Sequence, residues 1–113
     1  MDAHLFESFS KMIDCIPAKG VVEAVETQCR MIEDDFAHKR SMPLKTAASI
    51  LAFGRFLNAA ARGENFSSSD VPIHHVPTYR RTVERLVDAG ELPVTAQEQF
   101  NNAFSGGFLH SLP

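Results

Sequence analysis

The sequence predicts an all-α fold, an irregular bundle of about five helices with no sheet. Apolar residues recur at intervals of three and four over most of the chain, which is the spacing of one helix face. β-Branched residues nowhere alternate with polar ones over a useful length, so strand patterns are missing. Proline or glycine separates the helical stretches, and 113 residues form one domain, residues 1–113.

The first two predicted helices are amphipathic. The first covers residues 3–15, with Asp2 as its N-cap, and Pro17 and Gly20 end it. The second covers residues 21–39 and has acidic residues on its outer side. Its buried face is expected to consist of Val21, Val25, Cys29, Ile32 and Phe36.

The third predicted helix is the longest apolar stretch of the chain. It begins at Ser41 or Met42, with Pro43 in the first turn, where a missing N–H costs nothing. It ends at Gly63, a typical C-terminal glycine. A rod of about 30 Å follows from a rise of 1.5 Å per residue.

A loop rich in turn-forming residues separates the third helix from two shorter ones. It contains Pro72 and Pro77, and one helical turn from Ser68 or Ser69 is possible. The fourth helix covers residues 77–89, ends at Gly90 and directs Tyr79, Val83, Leu86 and Val87 inward. The fifth helix begins at Thr95 with a Thr-x-x-Glu capping box and ends at residues 106–107. The tail that follows, residues 108–113, is apolar, and we expect it to dock either on the chain itself or on a partner.

Composition narrows the classes of function. A formal net charge of −3 disfavours nucleic acid as the main partner, because proteins that bind phosphates are usually basic. Cys15 and Cys29 form no disulfide framework, and no secretory signal or membrane-spanning run is visible. We therefore expect a cytoplasmic protein with reduced thiols and without membrane association.

The third helix is apolar on two sides, which predicts either a central core helix or an interface. One side carries Ala47, Ile50, Gly54, Leu57 and Ala61. Because four short neighbours would not cover a long rod all round, we expect the other side to face a partner or a second copy. The candidate partner-binding residues on that side are Ala52, Phe53, Phe56, Ala59 and Ala60.

A DNA-reading helix-turn-helix is an alternative for the fourth helix, which would present Thr78, Arg80, Arg81 and Arg85 to bases and phosphates. Two features oppose it: Pro72 interrupts the space for a support helix, and no wing follows Leu92. An Arg/Glu face that pairs within the helix, Arg80 and Arg81 with Glu84, is the competing interpretation.

No chemistry-bearing pattern stands out. His74 and His75 are expected to point apart in an extended segment and have no further ligand at metal spacing. Serines, an aspartate and histidines in the same loop have neither a nucleophile elbow nor a glycine-rich cradle around them. Both cysteines lie on apolar stripes, as buried structural thiols do. We expect no catalytic residue, metal, cofactor or small-molecule substrate.

Over its full length, from MDAHLFESFSKMIDC to GGFLHSLP, the chain resembles the small acidic helical anti-activators of quorum sensing, the QslA family. That resemblance implies a helical protein that self-associates as a homodimer.

 The implied partner is a LuxR-type transcription regulator, whose dimerisation surface such an inhibitor occupies. Blocking the dimer would also block operator binding, because two half-sites are read by a dimer.

The sequence therefore predicts a non-catalytic protein-interaction module, a quorum-sensing anti-activator that forms a homodimer and binds neither DNA nor membranes directly. Competition for a dimer surface requires an apolar patch with a polar rim and no catalytic group. Two alternatives stay open at this point: a helix-turn-helix DNA-binding regulator, and a small helical protein with an unknown enzymatic activity.

Overall fold

Five α-helices make up the fold in the computed structural model, which describes residues 2–39, 41, 43–66 and 71–104. They are α1 (Asp2–Cys15), α2 (Ala18–Ala37), α3 (Leu44–Ala61), α4 (Val76–Asp88) and α5 (Thr95–Phe104). A 3₁₀ turn, η1 (Ile73–His75), leads directly into α4. These residues contain no strand, which confirms the predicted all-α bundle.

The helix starts differ slightly from the prediction. α1 begins at Asp2 itself, and α2 begins at Ala18, so Gly20 lies inside the first turn of α2 and does not end α1. Pro17 precedes α2 and Pro43 precedes α3, each in an extended conformation that suits the residue before a helix. Proline is well tolerated at both helix starts, because it has no N–H to leave unpaired there.

Glycines end α3 and α4 as predicted. Gly63 and Gly90 have φ of 69° and 78°, in the left-handed region that a Cβ disfavours. After α3, the Gly63 N–H donates to Ala60 O and the next N–H donates to Ala59 O. These bonds satisfy carbonyls that the helix end would otherwise leave without donors.

α3 is the central helix and is buried on both sides, which corrects the expectation that one side is open. Phe53 and Phe56 are completely buried, and Ala60 is nearly so. Ala52 and Ala59, each 8% exposed, are also part of the buried set. α1, α2 and α5 all pack against α3, and Tyr79 of α4 stacks on it. These neighbours therefore cover more of the surface of α3 than the sequence indicated.

Aromatic rings supply the cover over the Phe53 and Phe56 side. The ring of Tyr79 in α4 stacks on Phe53 with centroids 4.1 Å apart. Phe100 and Phe104 in α5 meet Phe56 edge to face at 5.6 and 5.5 Å, which is a favourable aromatic geometry. These five rings form part of one continuous core, to which α1 also contributes.

Two further expectations need correction, and three lie outside the described residues. Phe36, assigned to the buried face of α2, is 39% exposed, and Cys15 is exposed at the end of α1. Both lie in the last turn of a helix, beyond the reach of the neighbours that cover its middle. The predicted turn at Ser68 or Ser69, the end of α5 at residues 106–107 and the docking of the tail 108–113 fall outside the described residues. In the described part of the chain, none of the helices combines the length and apolar character needed to cross a bilayer.

Candidate functional site

A surface groove lies between the first turns of α3 and the segment that precedes α4. It has a volume of about 490 Å³, within the range of ligand pockets. We call it the α3–η1 groove, and it is lined by Lys45, Thr46, Ala48, Val71, Pro72, His74 and His75. Local sequence contributes to its position, because Pro72 directly precedes the 3₁₀ turn, and the turn places His75 against Ser49 of α3.

Two aliphatic side chains next to the lining residues are strongly exposed. Leu44, the first residue of α3, is 68% exposed, and Ile73, the first residue of the 3₁₀ turn, is 74% exposed. A single exposed aliphatic residue needs no explanation, but two beside an apolar groove indicate a contact surface. Sequence reasoning missed both, because Leu44 belongs to an apolar helix and Ile73 lies in a loop without periodicity.

A buried hydrogen-bonded network supports the wall of the groove. The Oγ atom of Ser49 lies 2.9 Å from Nδ1 of His75 and 2.7 Å from the hydroxyl oxygen of Tyr79. All three residues are almost inaccessible to solvent. If the neutral His75 carries its proton on Nε2, Tyr79 donates to Ser49 and Ser49 donates to His75, so that each hydroxyl is satisfied. The network therefore fixes the 3₁₀ turn to α3 and α4.

An aromatic contact completes the environment of His75. Phe6 of α1 stacks on the imidazole with centroids 3.7 Å apart and nearly parallel planes. The expectation that the adjacent histidines point apart is wrong, because the ring of His74 meets that of His75 at 4.4 Å. The segment is a 3₁₀ turn and not an extended strand, so neighbouring side chains are not directed to opposite sides.

Burial changes the acid–base properties of this network. Desolvation, followed by the nearby His74, lowers the pKa of His75 to about 4. Desolvation also raises the pKa of Tyr79 well above its usual value, against the opposing effect of the hydrogen bond with Ser49. At neutral pH the network is therefore uncharged.

The pair of Ser49 and His75 resembles a nucleophile and its base only in residue type. Ser49 is 1% exposed, so its hydroxyl cannot reach a substrate without a rearrangement of the core. A histidine with a pKa of about 4 is also a weak base near neutral pH. The arrangement is suited to holding a wall in place and poorly suited to nucleophilic catalysis.

The arginines that the DNA-binding alternative requires contact other parts of the same chain. Arg85 donates to the carbonyl oxygens of Ile13 and Ile16 at 2.9 and 2.8 Å and so satisfies the C-terminal end of α1. Arg81 forms an ion pair with Asp14 at 3.0 Å and not with Glu84 as expected. The guanidinium of Arg80 lies 6.0 Å from the ring centroid of Phe100.

The fourth residue of that alternative, Thr78, is half-buried, and its carbonyl accepts a bond from Thr82 within α4. Within the described residues 71–88, a single 3₁₀ turn precedes α4 and continues into it, without a support helix joined to α4 by a tight turn. This geometry does not favour a recognition helix.

The second thiol lies at the contact between α2 and α3. Cys29 is half-buried, and its thiol donates to the carbonyl oxygen of Ile50 over 3.6 Å. Desolvation, together with Glu33, raises the pKa of this thiol to about 11, so it is protonated near neutral pH and a weak nucleophile. Among the residues that the structure describes, no group of three or more histidine, cysteine or acidic side chains is placed to hold a metal ion.

Comparisons with protein-family models, with curated proteins and with solved structures find no significant match to this chain.

Proposed function

We propose that this protein is a non-catalytic interaction module that binds a LuxR-type transcription regulator and prevents the regulator from dimerising. The observation that supports the proposal is the α3–η1 groove with the exposed side chains of Leu44 and Ile73 beside it. An apolar surface of this kind is a feature of protein-binding sites. The resemblance to the QslA family of anti-activators supplies the class of partner.

The mechanism requires only occupation of a surface. A regulator of this class reads two half-sites as a dimer, so an inhibitor bound at the dimerisation surface leaves monomers with weak operator affinity. The compartment that this function implies is the cytoplasm, where the regulator meets DNA. Neither a cofactor nor a catalytic group takes part in the proposed mechanism.

A second exposed surface supports the proposed self-association. Met31 is 55% exposed on one side of α2. Asp34 and Asp35, three and four residues further on and therefore on the same side, form part of a polar border. We propose that two copies of the chain associate through this side of α2, which leaves the groove available to the regulator.

The test uses purified protein and full-length LuxR-type regulators encoded in the same genome. Light scattering coupled to size exclusion measures whether a regulator dimer is converted to a mixed complex, and a gel shift measures loss of operator binding. We expect Ile73→Asp to abolish both effects. Val94→Asp is the matched control, because Val94 is also an exposed aliphatic residue, 78% exposed, but precedes α5 at the other end of α4. Regulator dimers and operator binding that stay unchanged with the wild-type protein would refute the proposal.

A further inference from the structure

We infer that the α3–η1 groove accepts an amphipathic helix whose apolar residues are bordered by carboxylates. This inference rests on the proposed function in one respect, that the occupant is a protein segment, and it specifies the chemistry of that segment. The shape, the charge and the rigidity of the groove support this inference.

The groove runs beside the first turn of α3, which forms one of its walls. Ala48 lies one turn after Lys45 on α3, and Val71 and Pro72 form the opposite wall. Leu44 and Ile73 stand exposed next to the two walls, where they can contact the flanks of an inserted segment. Apolar side chains spaced by three and four residues enter such grooves in helix-in-groove recognition.

The charge of the groove distinguishes it from three other cavities of the described chain. Its lining contains one permanent charge, Lys45, and two imidazoles, with no carboxylate among the described residues. Three further cavities each contain at least one carboxylate, and their acidic lining residues are Glu23, Glu26, Glu33, Asp34 and Asp35. The groove is thus a locally basic site on a protein whose formal net charge is −3.

Because the groove is locally basic, it favours an acidic occupant. The overall field of the protein favours a basic peptide, so a preference for an acidic one must come from groups within about one Debye length, roughly 8 Å at physiological salt. Lys45 is exposed and lies at the groove, where it can pair with a carboxylate at the edge of the bound helix. Complementary charges of this kind determine specificity and orientation.

The wall of the groove is already in place before binding. The hydrogen bonds that join Ser49 with His75 and Tyr79 hold the 3₁₀ turn, and Phe6 stacks on the ring of His75. A preformed site loses less conformational freedom when it binds, which favours affinity.

Two end-blocked synthetic peptides test the inference. One is an amphipathic helix with a stripe of leucines bordered by glutamates, and the other is identical except that lysines replace the glutamates. Fluorescence anisotropy with labelled peptides measures their affinity for the full chain at several salt concentrations. We expect the glutamate peptide to bind at least about tenfold more tightly, in spite of the negative net charge of the protein.

Variants of the protein assign the preference to the groove. Lys45→Glu should reverse the order of the two peptides, and Ile73→Ser should weaken both, while Val94→Ser changes neither. Circular dichroism confirms that each variant is folded, and all three positions are exposed. Tighter binding of the lysine peptide, no binding of either peptide, or a preference that survives Lys45→Glu would overturn the inference.

The outcomes also separate this inference from the proposed function. A glutamate peptide that binds the groove while LuxR-type regulators stay dimeric would retain the inference and reject that partner. Regulators converted to mixed complexes with no peptide preference would do the opposite. Concentration-dependent self-association that Lys45→Glu abolishes would show that a second copy occupies the groove, which would overturn the inference as stated.

Discussion

The Sγ atom of Cys29 occupies the space in which Gly54 would carry a side chain. A Cβ built on Gly54 would lie 2.5 Å from that sulfur, closer than non-bonded atoms approach. The absence of a side chain at residue 54 lets α2 and α3 come close together, and the thiol donates to the Ile50 carbonyl on the same helix. Cys29 and Gly54 are therefore one packing unit.

Gly54→Ala tests this unit. The added methyl group forces the Cys29 side chain or the helices to shift, and overpacking of this kind costs about 1–3 kcal/mol. Part of that loss is offset, because alanine is favoured over glycine within a helix by about 1 kcal/mol. We expect a net decrease in the free energy of unfolding, measured by urea denaturation.

The matched control for that variant is Gly54→Ala in a Cys29→Ala background. There the sulfur is gone, so the same substitution should be neutral or stabilising relative to Cys29→Ala alone. The difference between the two backgrounds gives the coupling energy of the pair. Equal effects in both backgrounds would contradict the proposed contact.

Ser49→Ala should destabilise the protein more than Tyr79→Phe. The Ser49 hydroxyl bonds both His75 and Tyr79, so its removal leaves two buried polar groups without this partner. Buried groups left unpaired cost about 1–3 kcal/mol each, whereas one lost hydrogen bond contributes about 1 kcal/mol. Thermal and urea unfolding of the two variants give the order, and a larger loss for Tyr79→Phe would be inconsistent with the network.

Stability should fall as the pH decreases from about 6.5 to about 4 because of His75. The pKa of His75 is 6.5 in the unfolded chain and about 4 in the folded protein. Between these two pH values the unfolded chain therefore binds a proton that the folded protein does not bind. The stabilising contribution is fully present above pH 6.5, and the loss amounts to about 3 kcal/mol by the time the pH has fallen to 4.

Carboxylates titrate in the same range, so the measurement compares the wild-type protein with His75→Gln. Glutamine keeps a polar group but does not titrate, and the pH dependence of its free energy of unfolding should be flatter between pH 6.5 and 4. Parallel curves for the two proteins would show that His75 does not account for the acid sensitivity.

Phe53→Ala and Phe56→Ala should each destabilise the fold by about 3–5 kcal/mol, the usual cost of truncating a buried phenylalanine. Both rings are completely buried, and Phe53 stacks on Tyr79. The sequence alone favoured an interface role, in which either truncation weakens association and leaves the melting temperature nearly unchanged. Differential scanning calorimetry at several protein concentrations separates the two roles.

Two arginines of α4 should differ in their importance for stability. Arg85→Met removes two charge-assisted bonds to the end of α1, each of which contributes about 1.5–3 kcal/mol when well formed. Arg81→Met removes an ion pair whose partners are 50% and 39% exposed, and such pairs contribute at most about 1 kcal/mol. Urea unfolding should show the larger loss for Arg85→Met, and similar losses would indicate that the bonds to α1 contribute little.

Helical periodicity and chain-breaking residues were enough to predict the fold class. The positions of Gly63 and Gly90 were correctly predicted as helix ends, because a left-handed residue after a helix is a local requirement that the sequence states directly. The inward side of α4 was also predicted, since Tyr79, Val83 and Leu86 are buried. These features depend on residues close together in the chain.

The tertiary structure alone decided which apolar surfaces are covered. Whether Phe53 and Phe56 face a partner depends on where α4 and α5 cross α3, and periodicity does not contain crossing angles. The groove has the same origin, because it joins α3 to residues 71–75, more than twenty positions away in sequence. The contact of Ser49 with His75 spans 26 residues, and Arg85 reaches the end of α1 across 72. Local sequence determines helices, whereas exposed and shared surfaces arise from the packing of distant segments.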